Sequence, residues 1–299
     1  MASRKRTARL LVVDLDDTLW TWFDAWHKSF RAFLDELVRL SGIDEQNLTA
    51  AIRTVHQKYG TTEFSWLIDE LDILDQAVPS GKTRDEYYDP ALHAQNKARK
   101  EATVLYPGVK NTLEKLRSRG TTVIGYTESL AFWTHWRIQR TGIDGLLAYL
   151  YSSEDHDSPS CVVPEQRRHL PASYYQLRET VHRHVPKGVL KPSPFVLQQI
   201  IDDQGVTAAE TVYVGDSLMK DIAMAQSVEA IDVLAQYGMR FRDPRYSLLQ
   251  SVSHWTDQMV QYEQDGRPGV HPTPTLTLAE GLHELDEHVA FKPTQRTNE

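Results

Sequence analysis

The stretch Leu10-Leu11-Val12-Val13-Asp14-Leu15-Asp16-Asp17-Thr18-Leu19 decides how this chain is read. Its four leading apolar residues predict a strand buried on both faces, and Asp14 and Asp16 stand where that strand runs out. Open α/β sheets present their ligand-binding groups at that edge. Two carboxylates so close repel one another unless a proton or a cation lies between them. The pair therefore reads as a general acid beside an ionised partner, or as part of a divalent-metal site. An Asp-rich turn capping the next element is the alternative reading of the same residues.

Composition narrows the field. The 299 residues, 40% apolar and 25% charged, have the balance of a soluble globular protein with room for one large domain or two modest ones. Cys161 is the only cysteine, which excludes a disulfide framework and a thiolate zinc cluster. A net charge of -8 argues against wholesale nucleic-acid binding. No apolar run reaches membrane-span length, and the basic start, Met1 to Arg9, lacks a signal-peptide core. The expectation is a cytoplasmic protein with neither nucleic acid nor membrane as partner; oligomeric state leaves no trace in the sequence.

After Leu19 the pattern turns helical. Phe23, Trp26, Phe30, Phe33, Leu37 and Leu40 recur at helical spacing up to Gly42, and Leu48, Ile52, Val55 and Tyr59 form a second stripe that stops at Gly60. Phe64, Leu67, Ile68, Leu71 and Leu74 make a third. Asp89-Pro90 reads as the N-cap and first-turn proline of a fourth helix running to about Glu101. From Tyr106-Pro107-Gly108 helix and strand alternate, the signature of a covered parallel sheet. A helix runs from Pro107 to Arg119, and strands are expected at Thr122–Tyr126, Leu146–Leu150, Thr211–Val214 and Ala230–Leu234, with a helix opened by Ser193-Pro194 and closed by Gly205. Residues 152–186 read as an irregular excursion followed by a helix carrying Tyr174, Leu177, Val181 and Val185 behind Ser173. Beyond Tyr237, residues 254–262 read as a helix, 266–274 as loop, and 276–289 as one short strand and a helix. The fold class is α/β, a Rossmann-like parallel core (1–20 and 106–299) with an inserted helical block (21–105).

The strand ends collect Asp14 and Asp16, Thr127, Lys191 in Leu190-Lys191-Pro192, and Gly215-Asp216-Ser217 followed by Asp221. In this order and with these lead-ins the chain resembles the haloacid dehalogenase-like superfamily of phosphatases and phosphotransferases, over all four of its short motifs. Tyr106-Pro107-Gly108-Val109 and the phrase Val212 to Ile222 are similar to members carrying a helical cap between the first two motifs, where the helical block lies. The resemblance implies Asp14 as a nucleophile that forms a phospho-aspartyl intermediate, and Asp16 as the acid that protonates the leaving alkoxide and then deprotonates water. It implies Mg²⁺ held by Asp14, the Asp16 carbonyl and Asp216, with Asp221 acting through water or by orienting Lys191. Thr127 and Lys191 would offset phosphoryl charge. Thr18, Glu128 and Ser129 are further candidates for substrate contact, and the substrate expected is a small phosphorylated metabolite. A phosphotransferase or phosphomutase, a protein phosphatase and a non-catalytic binding protein of the same fold are the alternatives; dehalogenase chemistry has no need of Asp16 as an acid.

Weaker signals remain. His156, His169, His182 and His184 with Cys161 match no zinc spacing and read as solvated or packing residues. Arg167-Arg168, or Arg178 and His182 one helical turn apart, are candidate anion contacts set against an ordinary exposed face. Trp20 and Trp22 flank the expected hinge, and Gln57 to Phe64 is the loop of the helical block expected to face the site. Asp17, beside the acid pair, is assigned no chemistry.

Overall fold

The computed structural model describes residues 5–155, 159, 172–240, 242–257 and 272–294. Cys161, His156, His169, Arg167 and Arg168 lie outside these, as do most of the candidate helix 254–262 and of the loop 266–274.

Strand β1 (Arg6–Ala8) is followed by β2 (Leu10–Val13), then helices α1 (Trp22–Ser41), α2 (Glu45–Tyr59), α3 (Leu67–Glu70) and α4 (Arg84–Ala102). Next come α5 (Val109–Ser118), β3 (Thr122–Tyr126), α6 (Ala131–Thr141), β4 (Tyr149–Ser152), β5 (Val181–His184), α7 (Pro194–Asp203), β6 (Thr211–Gly215) and β7 (Ile231–Ala235). β8 (Leu276–Leu278) and β9 (Val289–Phe291) end the described chain. Seven strands form one parallel sheet in the order β5-β4-β3-β2-β6-β7-β8, and β1 pairs with β9 apart from it.

Both faces of β2 are covered. Leu11 and Val13 pack with Val109, Leu113 and Leu116 of α5, and Leu10 and Val12 with Val196, Leu197 and Ile200 of α7. That two-sided burial is why the strand reads as an unbroken apolar run. β3 and β6 flank β2 on opposite sides, so the chain reverses its direction of travel across the sheet at β2, the position where open α/β sheets hold their ligands.

The helical block has an apolar core of its own, built on Phe23, Phe30, Phe33, Leu34, Leu48, Ile52, Leu74 and Tyr88. Gly42 and Gly60 adopt φ of 69° and 67° at the ends of α1 and α2, which explains why the two stripes stop there. The block joins the sheet through two adjacent segments: Thr21 N–H donates to the Val104 carbonyl, and Tyr106 N–H to that of Leu19.

Several expectations are corrected. The third stripe is a short helix, α3, followed by a 3₁₀ segment at Asp72–Ala77. α4 starts at Arg84, capped by a reciprocal Thr83–Glu86 box, and Pro90 lies inside it. β4 begins at Tyr149 and not at Leu146. The helix expected behind Ser173 is a 3₁₀ turn and the edge strand β5, so Arg178 and His182 do not share a helix face. α6 had no counterpart in the sequence reading. Nor had the helix Tyr246–Val252, whose Leu249 and Val252 enter the apolar core of the helical block. This segment, reached after β7, is strapped across the block: Val252 O lies 2.6 Å from His56 Nδ1, and Arg245 pairs with Asp24 at 2.7 Å.

Candidate active site

β2 ends at Val13, and Asp14 N–H donates to the Val214 carbonyl of β6. The acid is thereby fixed at the sheet edge between the ends of β3 and β6. Its carboxylate accepts from Lys191 Nζ at 2.6 Å and from Thr18 Oγ1 at 3.1 Å. Thr18 is wholly buried, so its hydroxyl orients Asp14 and is closed to a substrate. Tyr237 OH donates to the Thr18 carbonyl at 2.7 Å, which fixes the turn.

Asp17 takes φ 55° and turns its carboxylate away from Asp14, accepting from Phe23 N–H at 3.1 Å in the first turn of α1. It serves as a remote cap for the helix that leads into the block. Burial pushes the Asp17 carboxyl up to about 8. The turn also packs hard against Gly238, where a Cβ would lie 1.8 Å from the Asp17 carbonyl oxygen.

Asp16 is the partly exposed member of the pair. Trp20 Nε1 donates to its Oδ1 at 2.6 Å, Ser129 Oγ to Oδ2 at 2.5 Å, and Thr127 Oγ1 reaches Oδ2 at 3.5 Å. Thr127 also accepts from Ser129 N–H at 3.0 Å, so the turn after β3 is tied to the turn after β2. Ser129 and Thr127 therefore both lie against the Asp16 carboxylate. Glu128 does not face it in the same way: its two oxygens accept from the backbone N–H of Lys191 at 2.9 Å and from Lys220 Nζ at 2.5 Å, so it positions the lysine loop.

Lys191 bridges Asp14 and Asp221, at 2.6 and 2.9 Å, beneath the Tyr126 and Tyr213 rings. Burial alone would pull its ammonium down, but the two carboxylates outweigh this and hold it well above the usual lysine value. Asp221 also accepts from Tyr213 OH at 2.8 Å and from Ser217 N–H at 3.1 Å. Asp221 thus carries a donor on each oxygen, Lys191 and Tyr213 on Oδ1 and Ser217 N–H on Oδ2. Tyr213 is a residue the sequence reading missed, because it reads simply as a strand position.

Oxygens of Asp14, Asp216 and Asp221 lie within 4.8 Å of one another. Among the described residues no side-chain or backbone donor reaches Asp216. Burial, with Asp14 and Asp221 nearby, pushes its carboxyl well above the ordinary range, and burial brings Asp14 up to about 7. Three carboxylates facing one ammonium leave uncompensated negative charge on hard oxygen donors, which fits a divalent cation of the Mg²⁺ type.

Above Asp16 the helical block closes in. Glu63 lies in the loop expected to face the site; its Oε1 is paired with Arg137 of α6, and its Oε2 accepts from Trp22 Nε1 at 3.1 Å. Arg137, also missed, is 3% exposed. His182 faces His135 at 2.9 Å and Ser152 Oγ at 2.9 Å, and is a packing residue of the α6–β5 contact, as expected.

The family model for haloacid dehalogenase-like hydrolases matches residues 8–229. A search of curated proteins found no match. Among solved structures, a HAD phosphatase from Thermococcus onnurineus is 18% identical, with 94% of this chain and 96% of that chain covered and a TM-score of 0.49. A 2-haloacid dehalogenase from Pseudomonas syringae pv. Tomato DC3000 is 17% identical over 94% and 97%, with a TM-score of 0.48. The HAD hydrolase YfnB from Bacillus subtilis, bound to magnesium, is 14% identical over 94% and 97%, also at 0.48. With the family model covering the acid pair, the lysine loop and the Asp216 turn, the chain belongs to the haloacid dehalogenase-like hydrolases.

Proposed function

We propose that this hydrolase is a Mg²⁺-dependent phosphomonoesterase that works through Asp14. The observation that carries the reading is the second acid: Asp16 stands beside Asp14 with Trp20, Ser129 and Thr127 arranged on its carboxylate. Displacement of halide requires no proton donor, whereas a leaving alkoxide does.

In this reading Asp14 attacks phosphorus through a carboxylate oxygen while the bond to the alcohol oxygen breaks, and Asp16 hands that oxygen a proton. Water then attacks the acyl phosphate, Asp16 takes the water's proton, and phosphate leaves with Asp14 restored. Lys191 holds Asp14 in line and offsets charge on the phosphoryl oxygens, and Asp221 with Tyr213 fixes the ammonium. Thr127 donates to a phosphoryl oxygen. The carboxylates of Asp14 and Asp216 and the Asp16 carbonyl would hold Mg²⁺, which supplies charge neutralisation between nucleophile and phosphate.

The test is release of inorganic phosphate from a panel of small phosphomonoesters, with and without Mg²⁺ and with a sugar acceptor present. Phosphate appearing only with Mg²⁺ supports the reading. Phosphoryl transfer to the acceptor in place of water would make the protein a transferase, and release of halide from 2-haloacids without phosphate release would refute the proposal.

A further inference from the structure

Where the helical block meets the sheet beside Asp16, two guanidiniums are buried, and one of them, that of Arg137, keeps a nitrogen without a hydrogen-bond partner. Arg137 places Nη2 on Glu63, but its Nη1 is buried without a hydrogen-bond partner and lies 3.6 Å from Asp16 Oδ1, within ion-pair range only. Arg99 of α4 lies over the Trp133 ring at 3.9 Å, and its side chain makes a single 3.4 Å hydrogen bond to Asn96 Oδ1 among the described residues. A guanidinium carries five N–H donors, and leaving them unfilled away from water is costly. A carboxylate matches that fork with two oxygens at once.

The chain itself supplies one such carboxylate. Glu63 places one oxygen on Arg137 and the other on Trp22 Nε1, and its backbone carbonyl accepts from Trp133 Nε1 at 3.1 Å. Glu63 belongs to the helical block and Arg137 to the sheet side, so any outward swing of the block withdraws Glu63 and leaves Arg137 with an unpaired charge. Asp16, the group that faces the departing alcohol in the reaction above, is the other acid beside Arg137. The guanidinium therefore sits on the leaving-group side of the site and not on the phosphoryl side.

Resting on the phosphomonoesterase reading, we propose that Arg137, with Arg99 beside it, is a specificity-determining residue that binds a carboxylate on the alcohol portion of the substrate, and that Glu63 occupies its place when no substrate is bound. The preferred substrates are phosphate esters of short hydroxy acids.

The experiment compares kcat/KM for 3-phosphoglycerate and glycerol 3-phosphate, nearly equal in size and differing in the carboxylate, with p-nitrophenyl phosphate as a general probe. All are measured on the full chain with Mg²⁺. The natural sequence should prefer 3-phosphoglycerate by about a hundredfold. In Arg137→Gln that preference should fall to about threefold or less, mainly through KM. Glu63→Gln keeps the guanidinium and removes its competitor, so it should lower KM for 3-phosphoglycerate by about tenfold while KM for glycerol 3-phosphate moves less than about twofold. Should Arg137→Gln not fold, the Glu63→Gln comparison decides alone. No preference in the natural sequence, or equal KM shifts for both esters in Glu63→Gln, would overturn the assignment and leave the phosphatase standing. No turnover of any of the three esters would bring down the phosphatase reading and the assignment with it.

Discussion

The floor of the site and its roof are built in different ways. The floor is a row of strand ends: Asp14 after β2, Thr127 after β3 and Asp216 after β6 reach one place because the parallel register aligns Val13 with Gly125 and Val214. Each residue needs only its own strand and the turn that follows. The roof is assembled from distant pieces. Glu63 comes from the block, Arg137 from α6, and the strap Tyr246–Val252 from beyond β7 holds the block by Leu249, Val252 and the His56 contact. In the proposed reading the floor carries the reaction and the roof selects what enters.

That contrast gives its largest predicted effect on the floor. Lys191→Met removes the ammonium between Asp14 and Asp221, and phosphate release should fall by about a thousandfold while the helical block keeps its fold. Loss under tenfold would mean that Lys191 is structural. Gly238→Ala drives a methyl group into the Asp17 carbonyl and should couple the two regions, costing roughly 3 kcal/mol in denaturant unfolding and most of the turnover. A mutant of unchanged stability would show that the turn yields easily.

On the roof, Leu249→Ala opens a cavity in the block's core from outside the block and should cost roughly 3 kcal/mol. If the strap were a loose appendage, the unfolding midpoint would not move. Acid should act there too. His56 is buried, and its imidazole is depressed to about 4, so the folded state holds it neutral. Because the unfolded chain takes up a proton first, stability should be fully present above about 6.5 and decline as pH falls toward 4, by on the order of 3 kcal/mol for this group. His56→Gln should flatten that part of the Tm–pH curve. The smallest effect belongs to Asp24→Ala, whose pairing with Arg245 is partly solvated and should cost under about 1 kcal/mol.

The same contrast explains what could be read from the sequence. β2, β3 and β6 are short apolar runs with an acid, a hydroxyl or a glycine at the end, and such runs announce themselves without reference to the rest of the chain. α6 was silent because its inward face is Thr134, Arg137 and Ile138, which carries little hydrophobic periodicity. The helix expected over Tyr174 to Val185 followed a spacing that does not lie on one buried face: Leu177 and Val185 pack against different core clusters, Tyr174 and Val181 are exposed, and Val181–His184 forms an edge strand. α4 announced its start through Thr83 and Glu86, a capping box overshadowed by Pro90. Tyr246, Leu249 and Val252 do keep helical spacing, but the surface they cover lies in the block, far back in the chain. Asp221 and Lys191 show the intermediate case, in which the motif residues are legible and the hydrogen bonds that rank them, including the one from Tyr213, are not.

The central claim is that Asp14 carries the phosphoryl group. It is tested most directly by acid-quenching a single turnover of p-nitrophenyl phosphate with Mg²⁺, reducing the acyl phosphate with borohydride and sequencing the labelled peptide by mass spectrometry. The predicted result is conversion of position 14 alone to the reduced residue, with no label and no phosphate release in Asp14→Asn. Phosphate release undiminished in Asp14→Asn would contradict the account.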